Sequence, residues 1–192
     1  KKFFSKKIFW CAASTHSGEE EICFKIHNNL KKKYKKIITI IIPRHIDRKS
    51  DLIELINSYN LKFHCHSWSK KIPQDLDVYL VDTYGDTEIF FSLSKVVFIG
   101  GSIVKHGGQN PLEATRYGCK IIHGPHVENF RDIYSLLNKC KISKKIISNV
   151  SLENNIEKFL IRPKNSKQMI RKINKIGFKV LRNTVVEINK IF

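Results

Sequence analysis

The run Ile37-Ile38-Thr39-Ile40-Ile41-Ile42 constrains the fold of this chain more than any other stretch. Every residue in it is β-branched, which favours extended backbone, and it shows no polar–apolar alternation. A strand that is apolar on both faces needs cover on both faces, which predicts a central strand of a parallel sheet flanked by helices. The run stops at Pro43-Arg44-His45.

Strand and helix signals alternate around it. Ile8 to Ala13 reads as a first strand, turned by Ser14–Glu20 into a helix in which Ser17 and Glu20 have capping-box spacing. Ile22, Ile26 and Leu30 then recur at i, i+4 and i+8, with Lys31-Lys32-Lys33 at the helix end that favours cations. Helices are predicted over Ser50–Tyr59, Asp86–Leu93, Asn110–Tyr117 and His126–Lys139. Strands are predicted near Lys62–His66, at Val78–Asp82, from Val96, at Lys120–His123 and, weakly, near Ile146–Val150. The tail from Asn165 is helical, with Leu181, Val185, Ile188 and Phe192 on one face and Lys175, Lys179, Arg182 and Lys190 on another. That basic face is expected to be solvated, with an anionic membrane as the other partner it suits. The alternation predicts an α/β, Rossmann-like, doubly wound and mostly parallel sheet in a single domain over residues 1–192.

The apolar run Val96-Val97-Phe98-Ile99 ends in Gly100-Gly101, and Gly107-Gly108 precedes Asn110-Pro111-Leu112-Glu113. Asn at N-cap, Pro at the first helical position and Glu three residues after the cap describe a helix start. Strand, glycine loop and helix N-terminus together predict amide N–H groups offered to an anion. Other polar segments fall at strand ends as well: Ser14–Glu20, Pro43–His45, Thr83–Asp86 and Gly124–Asn129. In a doubly wound sheet these loops converge on one cleft beyond the carboxyl ends of the strands. Arg44 offers a bidentate fork to a phosphate or base carbonyl, and the turn at Gly85 exposes the N–H groups of the next helix. Glu113 either completes a capping box with Asn110 or offers two acceptor oxygens to the hydroxyls of a ribose.

No G-x-S-x-G, P-loop or paired-carboxylate motif is present, so nucleotide binding is better supported than a complete catalytic set. Lys and Arg total 35 against 17 acids, a net of 35 − 17 = +18. That charge attracts polyanions, although abundant Lys, Ile and Asn also fit a compositional origin. The lysines are spread along the chain rather than interleaved with aromatics, so nucleic acid is not expected as a partner. Five scattered cysteines with no C-x-x-C pair suit a reducing cytoplasm. His64 and His66 share a strand face but lack a second ligand pair, and no metal is expected. The basic start lacks a long apolar region and a small-residue cleavage site, and no run approaches a membrane span.

Taken in order, Ala13-Ser14-Thr15-His16-Ser17-Gly18-Glu19-Glu20, Pro43-Arg44-His45-Ile46-Asp47-Arg48, Asp82-Thr83-Tyr84-Gly85, Phe98-Ile99-Gly100-Gly101-Ser102, Gly107 to Glu113, and Gly124-Pro125-His126 with Asn129-Phe130 resemble the C-terminal domain of 3-deoxy-D-manno-octulosonic acid (Kdo) transferases. The resemblance covers nearly the whole chain. It implies the C-terminal half of a GT-B glycosyltransferase that moves Kdo from CMP-Kdo to a lipid A precursor, lipid IVA, at the cytoplasmic face of the inner membrane. It implies that CMP is contacted by Pro43 and Arg44, by Tyr84, Gly85 and Asp86, and by Asn110, Pro111, Leu112 and Glu113. It also implies metal-free inverting transfer, with the general base in an N-terminal acceptor domain absent from this chain. Four positions depart from the family pattern: Tyr84 for Met, Asp86 for Glu, Thr87 for Leu and Gln109 for His. Asp86 keeps the carboxylate but shortens its reach. A binding-only nucleotide domain and a basic polyanion-binding protein are the alternatives.

Overall fold

The isoleucine run forms β2, Ile37–Pro43, and every one of its residues is buried. In the computed structural model, which describes residues 3–4, 7–69, 71–162 and 166–190, β2 pairs in parallel with β1 (Ile8–Thr15) from Ile8↔Ile37 onward. The remaining strands are β3 (Phe63–Cys65), β4 (Val78–Leu80), β5 (Val96–Ile99), β6 (Lys120–His123) and β7 (Ser143–Lys145). All pair in parallel, in the order β3-β4-β2-β1-β5-β6-β7. The sheet therefore reverses its winding at β1, with β2 on one side and β5 on the other. The carboxyl ends of β1 and β5 flank the switch point where such sheets bind ligands.

Alternate residues of β1 feed two cores. Trp10 and Ala12 face α1 (Glu19–Lys33), α2 (Lys49–Ser58) and α6 (Asn149–Leu160), among Phe24, Leu30, Leu52, Ile56, Leu152 and Ile156. Phe9, Cys11 and Ala13 face the opposite layer of α3 (Thr87–Leu93), α4 (Leu112–Arg116), α5 (Arg131–Lys139) and the start of α7 (Ser166–Ile188). Ile37, Ile38, Ile40 and Ile41 are each about fully buried, and each such side chain contributes about 1.5–3 kcal/mol relative to exposure. The two-faced apolar strand has the two helical layers its sequence calls for. None of the five cysteines is in a disulfide, and burial pushes the thiols of Cys11 and Cys23 well up.

The structure corrects two segments. The helix expected over His126–Lys139 begins only at Arg131, after a 3-10 turn at Glu128–Phe130. The weak strand expected near Ile146–Val150 is not there: β7 lies earlier, and α6 begins at Asn149. Ser148 caps that helix by accepting from the Ser151 N–H at 3.1 Å, and Leu152, Ile156 and Leu160 form its buried stripe. In α7, Met169 and Ile173 are buried, but Phe178, Leu181, Val185 and Ile188 are exposed, as are Lys175 and Arg182 and, just beyond the helix, Lys190. The expected apolar face is thus uncovered beyond Ile173; Phe192 and the side chain of Lys179 lie outside the described residues.

At one edge of the sheet, Asp77 is buried beside His27 and Lys31. Its Oδ1 lies 2.5 Å from Lys31 Nζ and 3.4 Å from His27 Nε2, and its Oδ2 accepts the Lys62 N–H at 3.0 Å. Burial pushes this carboxyl up, but the hydrogen bonds from His27, Lys31 and Lys62 outweigh it and hold the pKa at about 2 instead of the ordinary 3.8. A depressed folded-state pKa adds stability that is present above about pH 4 and is lost as pH falls towards 2. The contribution is about 2 kcal/mol. Denaturant titrations at pH 6, 4 and 2 are expected to show that loss, and Asp77→Asn is expected to lower stability at pH 6 and flatten the slope.

Candidate functional site

The site is built on a buried carboxylate. β1 ends with Ser14 at φ 55 and a register shift between Ala13 and Thr15, and Gly18 at φ 88 begins α1. This places Glu19, fully buried, beneath the loop after β5. Its Oε2 accepts the N–H groups of His16 at 3.0 Å and Gly101 at 2.7 Å; its Oε1 accepts those of Ser102 at 3.0 Å and Ile103 at 2.9 Å. Four charge-assisted bonds satisfy the carboxylate and fix the loop. A Cβ on Gly100 would stand 2.4 Å from the Ser14 carbonyl oxygen and 2.7 Å from Glu19 Oε2, so only glycine fits. The glycine loop therefore does present amides to an anion, as its sequence suggests, but Glu19 itself is that anion.

The capping box expected from Ser17 and Glu20 is not formed. Gly18 is the N-cap, and Glu20, also fully buried, pairs with Arg48 at 3.0 and 3.4 Å. With both acids committed inward, the surface above them is cationic. The His16 ring stacks on His106 at 4.3 Å and meets His45 edge-on at 5.9 Å. Arg44 is exposed at the end of β2; its backbone N–H binds the Thr15 carbonyl at 3.0 Å, and among the described residues no carboxylate pairs with its guanidinium. Burial, and then the charges of His106, His45, Arg48 and Arg44, lower the His16 pKa to about 4. A neutral imidazole among cations, with a free guanidinium beside it, suits an anionic ligand.

The other expected site residues lie along the same edge. Tyr84 is exposed and Gly85 takes φ 89. Asp86 is the N-cap residue of α3, but its side chain makes no cap bond: its Oδ2 accepts from Thr83 Oγ1 at 2.7 Å and lies 3.5 Å from His66 Nε2. Asn110 Oδ1 accepts the Leu112 N–H at 3.0 Å, while Pro111 is buried and is itself the N-cap. The helix starts one residue later than expected, and Glu113 does not reach back to complete a capping box. Its Oε1 accepts instead from Thr87 Oγ1 at 2.7 Å. That hydroxyl, at a position where the resemblance leads one to expect Leu, ties the start of α3 to α4. Gln109 Nε2 lies 3.4 Å from His16 Nε2, and the Gln109 carbonyl accepts the Tyr134 hydroxyl at 2.8 Å. A connected rim thus runs from Arg44 and His16 through Gln109 and Asn110 to Glu113 and Thr87. His16, Arg48 and His106 lie at this edge and Glu19 lies buried beneath it; the sequence does not single out any of the four as a site residue.

No family model matches the chain. It is 34% identical over 173 residues to the 3-deoxy-D-manno-octulosonic acid transferase of Haemophilus influenzae, covering 90% of this chain and 40% of the relative. To the enzyme of the same name from Rickettsia bellii it is 36% identical over 157 residues, covering 82% and 37%. The chain spans about two fifths of the length of these curated relatives. The crystal structure of the C-terminal CMP-Kdo binding domain of WaaA from Acinetobacter baumannii superposes with a TM-score of 0.82 at 25% identity, over 91% of each chain. A trehalose 6-phosphate synthase from Burkholderia multivorans shares the fold alone, with a TM-score of 0.61 at 12% identity over 97% of this chain and 43% of that one. The all-parallel sheet and its helices are those of the Rossmann-like C-terminal domain of GT-B glycosyltransferases.

Proposed function

From the homology of this chain to the Kdo transferases, we propose that it is the donor-binding part of a glycosyltransferase that transfers Kdo from CMP-Kdo to lipid IVA in lipopolysaccharide assembly. The observation that carries the reading is the unpaired, exposed Arg44 beside neutral His16 at the switch point of a sheet whose homologue is a CMP-Kdo binding domain. Pro43 and Arg44 meet the phosphate of CMP. Tyr84, Gly85 and Asp86 flank the nucleotide at the β4 side, and Asn110, Pro111, Leu112 and Glu113 hold its ribose. Glu113 gives one oxygen to Thr87 and turns the other to the ribose hydroxyls. Attack of an acceptor hydroxyl oxygen on the anomeric carbon breaks its bond to the phosphate oxygen and leaves CMP with added charge. Arg44 stabilises that charge directly, in a transfer that inverts configuration and is proposed to need no metal. The acceptor and the base that deprotonates it are assigned to the portion of such an enzyme beyond these residues.

The same reading places the protein peripherally at the cytoplasmic face of the inner membrane. No helix among the described residues is long and apolar enough to cross a membrane. The exposed Phe178, Leu181 and Val185 of α7, with Lys175 and Arg182, suit an anionic lipid surface.

Calorimetric titration of CMP tests the site. Saturable binding is expected, about 10- to 100-fold weaker in Arg44→Ala and about tenfold weaker in Glu113→Ala, as loss of one charge-assisted contact predicts. Unchanged affinity in both variants, or no binding by the folded chain, overturns the assignment.

A further inference from the structure

A second concentration of positive charge lies across the sheet, at the amino ends of the strands. There β5, β6 and β7 begin, α5 and α6 end, and α7 starts. A cavity of about 700 Å³ opens between them; seven of the described side chains lining it are Lys or Arg, and none is a carboxylate. Elsewhere half-buried cations of this chain are neutralised internally: Arg48 with Glu20, Lys31 with Asp77 and Lys49 with Asp82. Part of the charge here has a local use. Lys95 donates to the Leu160 carbonyl at 3.0 Å, at the end of α6, and Lys120 to the Lys141 carbonyl at 2.5 Å, in the turn between α5 and β7. Lys141, Lys144, Lys158, Arg162 and Lys172 exceed that need. Lys120 is held below its usual pKa by burial and then by Lys172 and Arg162, so the cluster repels itself. Phe159 and Met169 add an apolar wall.

We propose that this cavity is a binding site for a ligand carrying two or more phosphate groups, which supplies the counter-charge that no described side chain lining it does. The volume suits a nucleotide-sized molecule or a phosphorylated headgroup, and the cations converge from four elements. The inference does not depend on the donor site, which lies at the opposite edge of the sheet.

Titration of the chain with inorganic tripolyphosphate tests it. With saturating CMP present to occupy the donor cleft, one saturable site is expected, about tenfold weaker in Arg162→Gln/Lys172→Gln and weakened by salt. Both altered side chains are exposed, and unchanged thermal melting verifies that the fold survives; Lys158→Gln, on another helix, is the second test and is expected to weaken binding as well. Non-saturating binding, or an equal loss in the remote pair Lys35→Gln/Lys36→Gln, overturns the site and leaves net charge as the cause. Displacement of tripolyphosphate by phosphatidylglycerol vesicles would assign the natural phosphates to a lipid headgroup. Persistence of the complex beside such vesicles would assign them to a soluble ligand; either result upholds the site.

Discussion

Glu19→Gln is expected to lower the stability of the folded chain by about 3 kcal/mol, which for a chain of this size lowers the melting temperature by roughly 10 °C. The carboxylate accepts four backbone N–H groups from two segments and is fully buried. An amide is isosteric, but its NH2 group must face donors where an acceptor stood, leaving two N–H groups and the amide nitrogen opposed. Charge-assisted bonds are about twice as strong as neutral ones, so even the retained pair weakens. Thermal and urea denaturation measure the effect. A variant as stable as the parent would show that Glu19 does not hold the loop. CMP titration at a temperature where the variant stays folded should still show weakened binding, because His16 and Gln109 take their positions from the same loop.

Gly100→Ala is expected to cost about 3 kcal/mol or more, the upper range for overpacking a well-filled interior. The added carbon would lie 2.4 Å from the Ser14 carbonyl oxygen and 2.6 Å from the Thr15 Cα. Both neighbours are backbone, so no rotamer change relieves the contact; β1 and β5 must separate at the Gly100 N–H to Ala13 carbonyl bond of 2.8 Å. By contrast, a Cβ on Gly177 meets nothing within 4 Å, and Gly177→Ala is the matched control. Equal melting temperatures for the two variants would refute the account.

The architecture was legible where local and global preferences agree. Ile37 to Ile42 could hardly be anything but a central strand, and β1, β5 and β6 follow from apolar runs that stop at polar or glycine residues. Helix α6 was missed because Ile146 and Ile147 read as strand and Asn149, Asn154 and Asn155 are poor helix formers. The Ser148 cap and the packing of Leu152 and Ile156 under the sheet override those preferences. Helix caps were misread for a related reason. Spacing identifies which acid could reach back to a cap, but Glu20 and Glu113 have stronger or nearer partners in Arg48 and Thr87. The role of Glu19 was hidden further still. Its bond to Gly101 spans 82 positions of sequence, and only the close approach of β1 to β5 at Gly100 brings the two together. The resemblance names Arg44, Asn110 and Glu113 but not His16 beside them, and the structure adds two contacts along that edge: a hydroxyl at Thr87 and an amide at Gln109, both at positions where the resemblance leads one to expect another residue.

An internal anion beneath the glycine loop also has a kinetic meaning. A loop whose amides await a ligand orders only when that ligand arrives, and each arrival carries an entropic cost. Here the amides of Gly101, Ser102 and Ile103 are bonded to Glu19, so they should exchange with solvent slowly whether or not a ligand is added. The floor of the cleft is finished before anything enters it. On the proposed function, discharge of product then requires no melting of the loop, and the hold of Arg44 on a phosphate sets how fast it leaves.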